Sequence, residues 1–377
     1  MKRWIVFLVL PWAFVDAAGR EECPDELVAR YRAGQACWPA AETHPSVDPE
    51  PLAALPETPP FPEHNPHSEA KEELGKQLFF DPRLSRSEQV ACASCHDPDL
   101  NWADGRRHAF GHNRRQGERN TPSVGNSAWS EHFFWDGRAA TLEQQARASL
   151  TNPVEMNSDP AAMADRIQAL GGYRKQFEAV FSDPEVTPGR IVKAISTYVR
   201  TITSRSSDFD DFMRGDRDAM NRNEIKGLHL FRTRAGCMNC HHGKTFSDND
   251  FHNIGLHYFG RKHEDLGRYR VTGDPEDVGA FKTPGLRDVV HTGPWMHNGI
   301  FPTLRGILNM YNHGGARPEP RPAFEDDPLF PETSDLLEPL ELTDPELRQI
   351  EAFLHSISRR ARHIDAAALP GREHANP

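Results

Sequence analysis

Cys92-Ala93-Ser94-Cys95-His96 and Cys237-Met238-Asn239-Cys240-His241 are two copies of C-x-x-C-H. At that spacing two thiols can add to the vinyl groups of a porphyrin while the adjacent histidine becomes the proximal ligand of its iron. Each residue type has its own task, so the pattern is specific. A disulfide, a redox-active C-x-x-C or half of a zinc site would use the same cysteines. Zinc would need further ligands beside each pair, and no cysteine other than these four lies beyond Cys37, so only histidines could supply them. The motifs therefore predict two covalently bound c-type haems. Cys92, Cys95 and His96 would hold one, Cys237, Cys240 and His241 the other, with His96 and His241 on the irons.

The bulk properties fit an exported protein. Lys2 and Arg3 open the chain, an apolar stretch runs from Trp4 to Val15, and Val15-Asp16-Ala17 is a small-residue cleavage site. This predicts a signal peptide over 1–17 and a periplasmic location, where attachment cysteines are handled. The apolar stretch contains Pro11 and is short for a bilayer span, and no later segment is apolar enough, so no membrane span is expected after cleavage. With a net charge of −11, nucleic acid is not an expected partner. Of six cysteines, four go to haem; Cys23 and Cys37 flank a helical stretch, Glu26 to Arg32, and are expected to pair as a disulfide in an oxidising compartment.

Residues 18–66 read as an N-terminal extension ending in a proline-rich, acidic linker or wrapping arm from Pro39 to Pro66. Ser68 is a plausible cap for a helix with Leu74 and Leu78 on one face. Thr187-Pro188 opens another, with Ile191, Val192, Ile195, Tyr198, Val199 and Ile202 apolar. Thr343-Asp344-Pro345 starts a third, and Thr141 with Gln144 reads as a capping box on a helix toward Leu150. Glu73 to Phe80 before the first motif is echoed by Glu224 to Phe231 before the second. The expected fold is mainly α: two tandem cytochrome c-like domains, 67–215 and 216–365, with long loops around covalent haems and a tail at 366–377.

Several further stretches carry a family resemblance: LGKQLFFDPRLS (74–85), RNTPS (119–123), FFWDGRAATLEQQA (133–146), NPVEM (152–156), GCMNCH (236–241) and TPGLRDVVHTGPWMHNG (283–299). From Phe61 to Ser356 the chain resembles the bacterial dihaem cytochrome c peroxidases and MauG; the segment holding Cys23 and Cys37 lies outside the match. The resemblance implies that peroxide reacts at the first haem and that the second passes electrons. Trp135 matches the tryptophan between the haems. Glu155 matches the distal glutamate, where a poised carboxylate can move a proton between the peroxide oxygens. Gln145 matches a distal polar residue.

The resemblance leaves two axial ligands open. His112 falls where peroxidases carry a loop histidine that ligates the first iron at rest; MauG-like members lack it, and His112 could equally be a loop histidine with no iron contact. At the second haem, Gly293 stands where the peroxidase pattern has methionine and Trp295 where the MauG pattern has tyrosine. Met296 is the preferred ligand there, because a thioether raises the potential; His297 and His291 are the alternatives. A calcium ion is also implied, with Asn120 and backbone carbonyls near Asp274 and Glu276 as oxygen donors. The expected reaction is reduction of hydrogen peroxide to water with electrons from a small cytochrome c or copper protein. Peroxide-driven oxidation of a protein substrate and simple electron carriage are the alternatives, and a homodimer is possible in this family.

Overall fold

A computed structural model describes residues 23–365 and 367–371. The expected signal peptide, 1–17, and most of the expected tail lie outside these residues. The chain divides into two compact units, one ending at Ala40 and one beginning at Ala41. In the first, α1 (Leu27–Ala33) starts where the Glu26 carboxylate accepts the Ala29 N–H, and ends at Gly34, whose φ of 113° favours glycine. Cys23 and Cys37 are joined, their Cα atoms 5.4 Å apart. Tyr31 packs against Trp38, whose indole N–H is donated to the Tyr31 carbonyl at 2.9 Å. A unit this short cannot build a sufficient core, and the disulfide closes it.

The second unit is helical, and among its described residues the only strands are two-residue segments. α2 (Glu69–Phe80) is capped by the Ser68 hydroxyl. It is followed by α3 (Leu142–Thr151), α4 (Pro160–Gln168), α5 (Gly171–Phe181), α6 (Pro188–Thr201), α7 (Asp208–Met213) and α8 (Arg222–Arg232). α9 (Tyr269–Thr272), α10 (Leu304–Asn312) and α11 (Asp344–Ser356) complete it. β1 (Phe251–His252) pairs antiparallel with β2 (Phe281–Lys282). The expected capping box at Thr141 forms only in part. The Thr141 hydroxyl accepts from the Gln144 N–H, but the Gln144 side-chain Oε1 accepts the Ala140 N–H, one residue early. No helix among the described residues is long and apolar enough to cross a membrane.

Two helix pairs organise the core. α2 crosses α6 at Gly75, where an added Cβ would lie 2.0 Å from the Ala194 carbonyl oxygen. α8 crosses α11 at Gly227, where it would lie 1.9 Å from that of Gln349. In both pairs the missing side chain lets two backbones touch. Leu74, Leu78, Ile191 and Ile195 fill the first contact, and Phe209, Phe231, Phe246 and Phe353 pack edge to face around the second.

The loops between these helices also repeat, at one constant spacing along the chain. Asn126 and Asp288 are both left-handed, with φ of 61° and 62°. So are Phe134 and Met296, at 65° and 70°. Phe133 bridges Ala139 as Trp295 bridges Phe301, and Thr141 caps α3 as Thr303 caps α10.

Residues 41–66 have no regular structure yet are firmly held. The buried Arg287–Asp210 pair, at 2.9 Å, also accepts the Leu55 N–H and donates to the Ala53 carbonyl. Asn65 bonds Glu143, the Lys193 carbonyl and Lys71. The segment is thus a wrapping arm, and it belongs to the larger unit rather than to the extension.

Candidate active site

Each attachment motif folds into a single tight turn. In the first, the Cys92 carbonyl accepts N–H groups of Cys95 and His96; in the second, the Cys237 carbonyl accepts those of Cys240 and His241. The His96 Nδ1 faces the Trp102 carbonyl at 3.1 Å, and His241 Nδ1 faces that of Phe246 at 2.9 Å. A carbonyl only accepts, so both Nδ1 atoms carry the proton and both Nε2 atoms keep a lone pair for metal. Burial holds His96 down to about 4 and lowers His241 as well, so both rings are neutral near pH 7.

All six motif residues line one cavity of about 2130 Å³, roughly twice the upper end of ordinary ligand pockets. The four thiols are free. Burial pushes Cys92 and Cys237 up to about 12 and Cys95 to about 11. A cavity of this size with two sulfur pairs and two iron-ready imidazoles fits two haems. Cys240, Asp248 and His252 also approach one another closely, but that sulfur belongs to the second motif.

On the first motif's side, α3 and the loop after it supply a polar wall. Gln145 Nε2 donates to the Ser149 hydroxyl oxygen at 3.1 Å, one helical turn on. Ser149 in turn bonds the Glu155 carboxyl, and Asn152 Nδ2 donates to it at 2.7 Å. Burial raises the Glu155 pKa above the usual carboxylate range, against the opposing pull of Ser149, Arg138 and Asn152. Glu155 and Gln145 both line the cavity. Ser149 and Asn152 were not singled out from sequence, although Ser149 follows Gln145 at the i+4 position that shares its face.

His112 does not join them. Its ring is buried but forms no part of the cavity wall, and its Nδ1 has no hydrogen-bond partner. The backbone explains this: the His112 N–H is donated to the Glu155 carbonyl at 2.7 Å. Gly111 presses so closely that an added Cβ would lie 2.2 Å from the Val154 carbonyl oxygen. The loop is clamped to the Glu155 segment, and of the two readings left open for His112 this position favours a loop histidine over an iron ligand.

Trp135 lines the cavity and donates its indole N–H to the Asn120 carbonyl at 2.9 Å. His297, its counterpart in the repeat, stands edge-on to it with ring centres 6.4 Å apart. His297 also stacks flat on Phe281 at 3.5 Å, and burial holds it down to about 3. Met296 lines the cavity as well, whereas His291 does not. The Trp295 indole N–H is committed to the Val289 carbonyl. Arg119 ties the halves together, bonding Asp136 beside Trp135 and gripping Asp265 with two nitrogens.

Asn120 is buried, with its amide nitrogen on the Arg106 and Arg107 carbonyls, whereas Asp274 and Glu276 are exposed and Asp274 caps its own turn.

Two haem attachment sites opening on one cavity, with a carboxyl network on one side, define a dihaem c-type oxidoreductase. The di-haem cytochrome c peroxidase family model matches residues 69–218. The methylamine utilization protein MauG of Methylorubrum extorquens is 38% identical over 345 residues, 89% of this chain and 93% of that one. The cytochrome-c peroxidase IdrP1 of Pseudomonas sp. strain SCT is 34% identical over 361 residues, covering 88% and 90%. A solved MauG-like protein associated with microbial copper homeostasis superposes with a TM-score of 0.72 at 31% identity, over 81% of this chain and 94% of that one. The chain belongs to the di-haem cytochrome c peroxidase/MauG family. As a member it is an oxidoreductase that carries two haems and acts on hydrogen peroxide.

Proposed function

We propose that this protein is a periplasmic dihaem enzyme of the MauG type, in which hydrogen peroxide drives oxidation of residues on a partner protein. Residues 67–215 would form the peroxide-reacting, cytochrome c-like half and 216–365 the electron-transferring one. The observation that carries this reading is the clamped loop of Gly111 and His112. With His112 outside the cavity wall, its ring does not line the side that carries Glu155, which favours a first haem that needs no prior reduction to open. The haems, when bound, supply the redox equivalents for O–O cleavage. Glu155 does the proton work: it takes a proton from one peroxide oxygen and returns it to the departing one, while Ser149 and Asn152 hold its carboxyl and Gln145 orients the chain of donors. Trp135, between the two motifs, is the aromatic stepping stone for electrons. The Cys23–Cys37 disulfide supports an oxidising compartment.

Met296 favours a second reading, a peroxidase fed by a small cytochrome c or copper protein. A thioether on the second iron would raise its potential and suit electron storage. One experiment separates the two. Mixing the holoprotein with peroxide and a reduced small cytochrome should give slow cytochrome oxidation and a long-lived oxidised spectrum. Rapid oxidation over hundreds of turnovers would overturn the first reading in favour of the second.

A further inference from the structure

A second cavity, of about 300 Å³, shares no lining residue with the first. At its wall is His257, only 1% exposed. Its Nδ1 accepts the Phe259 backbone N–H at 3.0 Å, so the ring proton sits on Nε2. Burial and the nearby Arg261 hold the pKa down to about 4, which keeps the ring neutral. That Nε2–H is buried and has no hydrogen-bond partner, an arrangement native proteins avoid unless something else fills the role.

Two guanidinium groups, Arg261 and Arg317, line the same cavity. Each places one nitrogen on a backbone carbonyl, of Glu319 and Leu337 respectively, and neither forms an ion pair among the described residues. On a chain of net charge −11 this is a local concentration of uncompensated donors. The remaining walls are largely apolar: Leu256, Phe259, Pro318 and Phe330 beside Tyr258, with the two phenylalanine rings edge to face at 5.6 Å. The mouth is preformed, because Gly255, at φ 83°, brings one loop against the other so closely that a Cβ would lie 1.7 Å from the Ala316 carbonyl oxygen.

We propose that this cavity binds a small apolar monocarboxylate, its carboxylate on the His257 Nε2–H and the two arginines and its body against Phe259 and Phe330. Phosphate matches the donors but leaves the apolar walls unfilled, and a neutral molecule of the same shape leaves the donors unpaired. The volume lies at the lower end for ligand sites and suits a body of about one aromatic ring.

The test is calorimetric titration of the holoprotein with benzoate, benzyl alcohol and inorganic phosphate, with haem absorption followed in parallel. Benzoate should bind at one saturable site without moving the haem bands, and the other two at least about tenfold more weakly. R261Q/R317Q alters exposed residues and should weaken benzoate by about tenfold or more while leaving haem spectra unchanged; H257F should do the same where it folds. Absence of benzoate binding, equal binding to the double variant, equal binding of phosphate, or a shifted haem band would each overturn the proposal.

Discussion

The two haem-binding halves share a backbone and differ in what they hang on it. Arg138, Gln145 and Ser149 in the first half stand where the second has Ile300, Ile307 and Tyr311, on equivalent turns and helices. The first half adds Glu155, held by Ser149 and Asn152. The second has an aromatic cluster around Phe246 and Phe353, and the carboxylate on its wall, Asp288, is held by the Ser204 hydroxyl and the Arg359 N–H. A polar wall can move protons at a reacting oxygen; an apolar one makes extra charge costly and suits a centre that only gains and loses electrons. The fold supplies the attachment geometry twice, and on the proposed reading a few side chains divide the labour.

The strongest challenge to that division is to remove one attachment at a time. Cys92→Ala with Cys95→Ala should lower the protein mass by one haem and eliminate the peroxide reaction. The same change at Cys237 and Cys240 should cost one haem but leave a peroxide-responsive spectrum, and equal loss in both would erase the distinction. Glu155→Gln comes next, with peroxide reactivity falling by about 10²–10⁴-fold while both haem spectra persist. Because burial raises the Glu155 pKa and the basic form must accept the proton, the wild-type rate should climb with pH through a midpoint above the ordinary carboxylate range. That limb should vanish in the glutamine variant, and its survival would remove Glu155 from the mechanism. Met296→Ala should lower the second haem's potential and leave the first in place; an unmoved potential would exclude Met296 as a ligand.

The clamped loop gives the smaller effects. Gly111→Ala forces a methyl group against the Val154 and Glu155 backbone, and should cost about 1–3 kcal/mol of stability along with part of the peroxide rate. His112→Ala should leave the resting spectrum of the first haem unchanged. A spectral change there would return His112 to the iron and weaken the MauG-type reading.

Much of this architecture was legible in the chain. The caps at Ser68, Thr187 and Thr343 are local chemistry, and the helices start there. Cysteine and histidine spacing identified both attachment turns. The finer repeat was only half visible: the helices before each motif echo in sequence. Phe134 and Met296 share little but a left-handed backbone, which one-letter patterns do not carry. The position of His112 was not legible because it depends on contact between two distant loops, set by the absence of a side chain at Gly111. The arm was legible only as one of two readings, linker or wrapping arm. Its composition is that of a linker, and its order comes from Asp210, Arg287 and Glu143, residues far away in sequence.

The hydrogen bond from Trp135 to the Asn120 carbonyl has a consequence for bookkeeping of protons. A neutral amide oxygen is far too weak a base to take the indole hydrogen, and the neighbouring Asp136 carboxylate is already occupied by Arg119 and Arg138. An electron drawn from this ring would therefore leave a cation that keeps its hydrogen. Such a cation is refilled by simple electron return, so the indole can be used again and again without waiting on solvent to restore it.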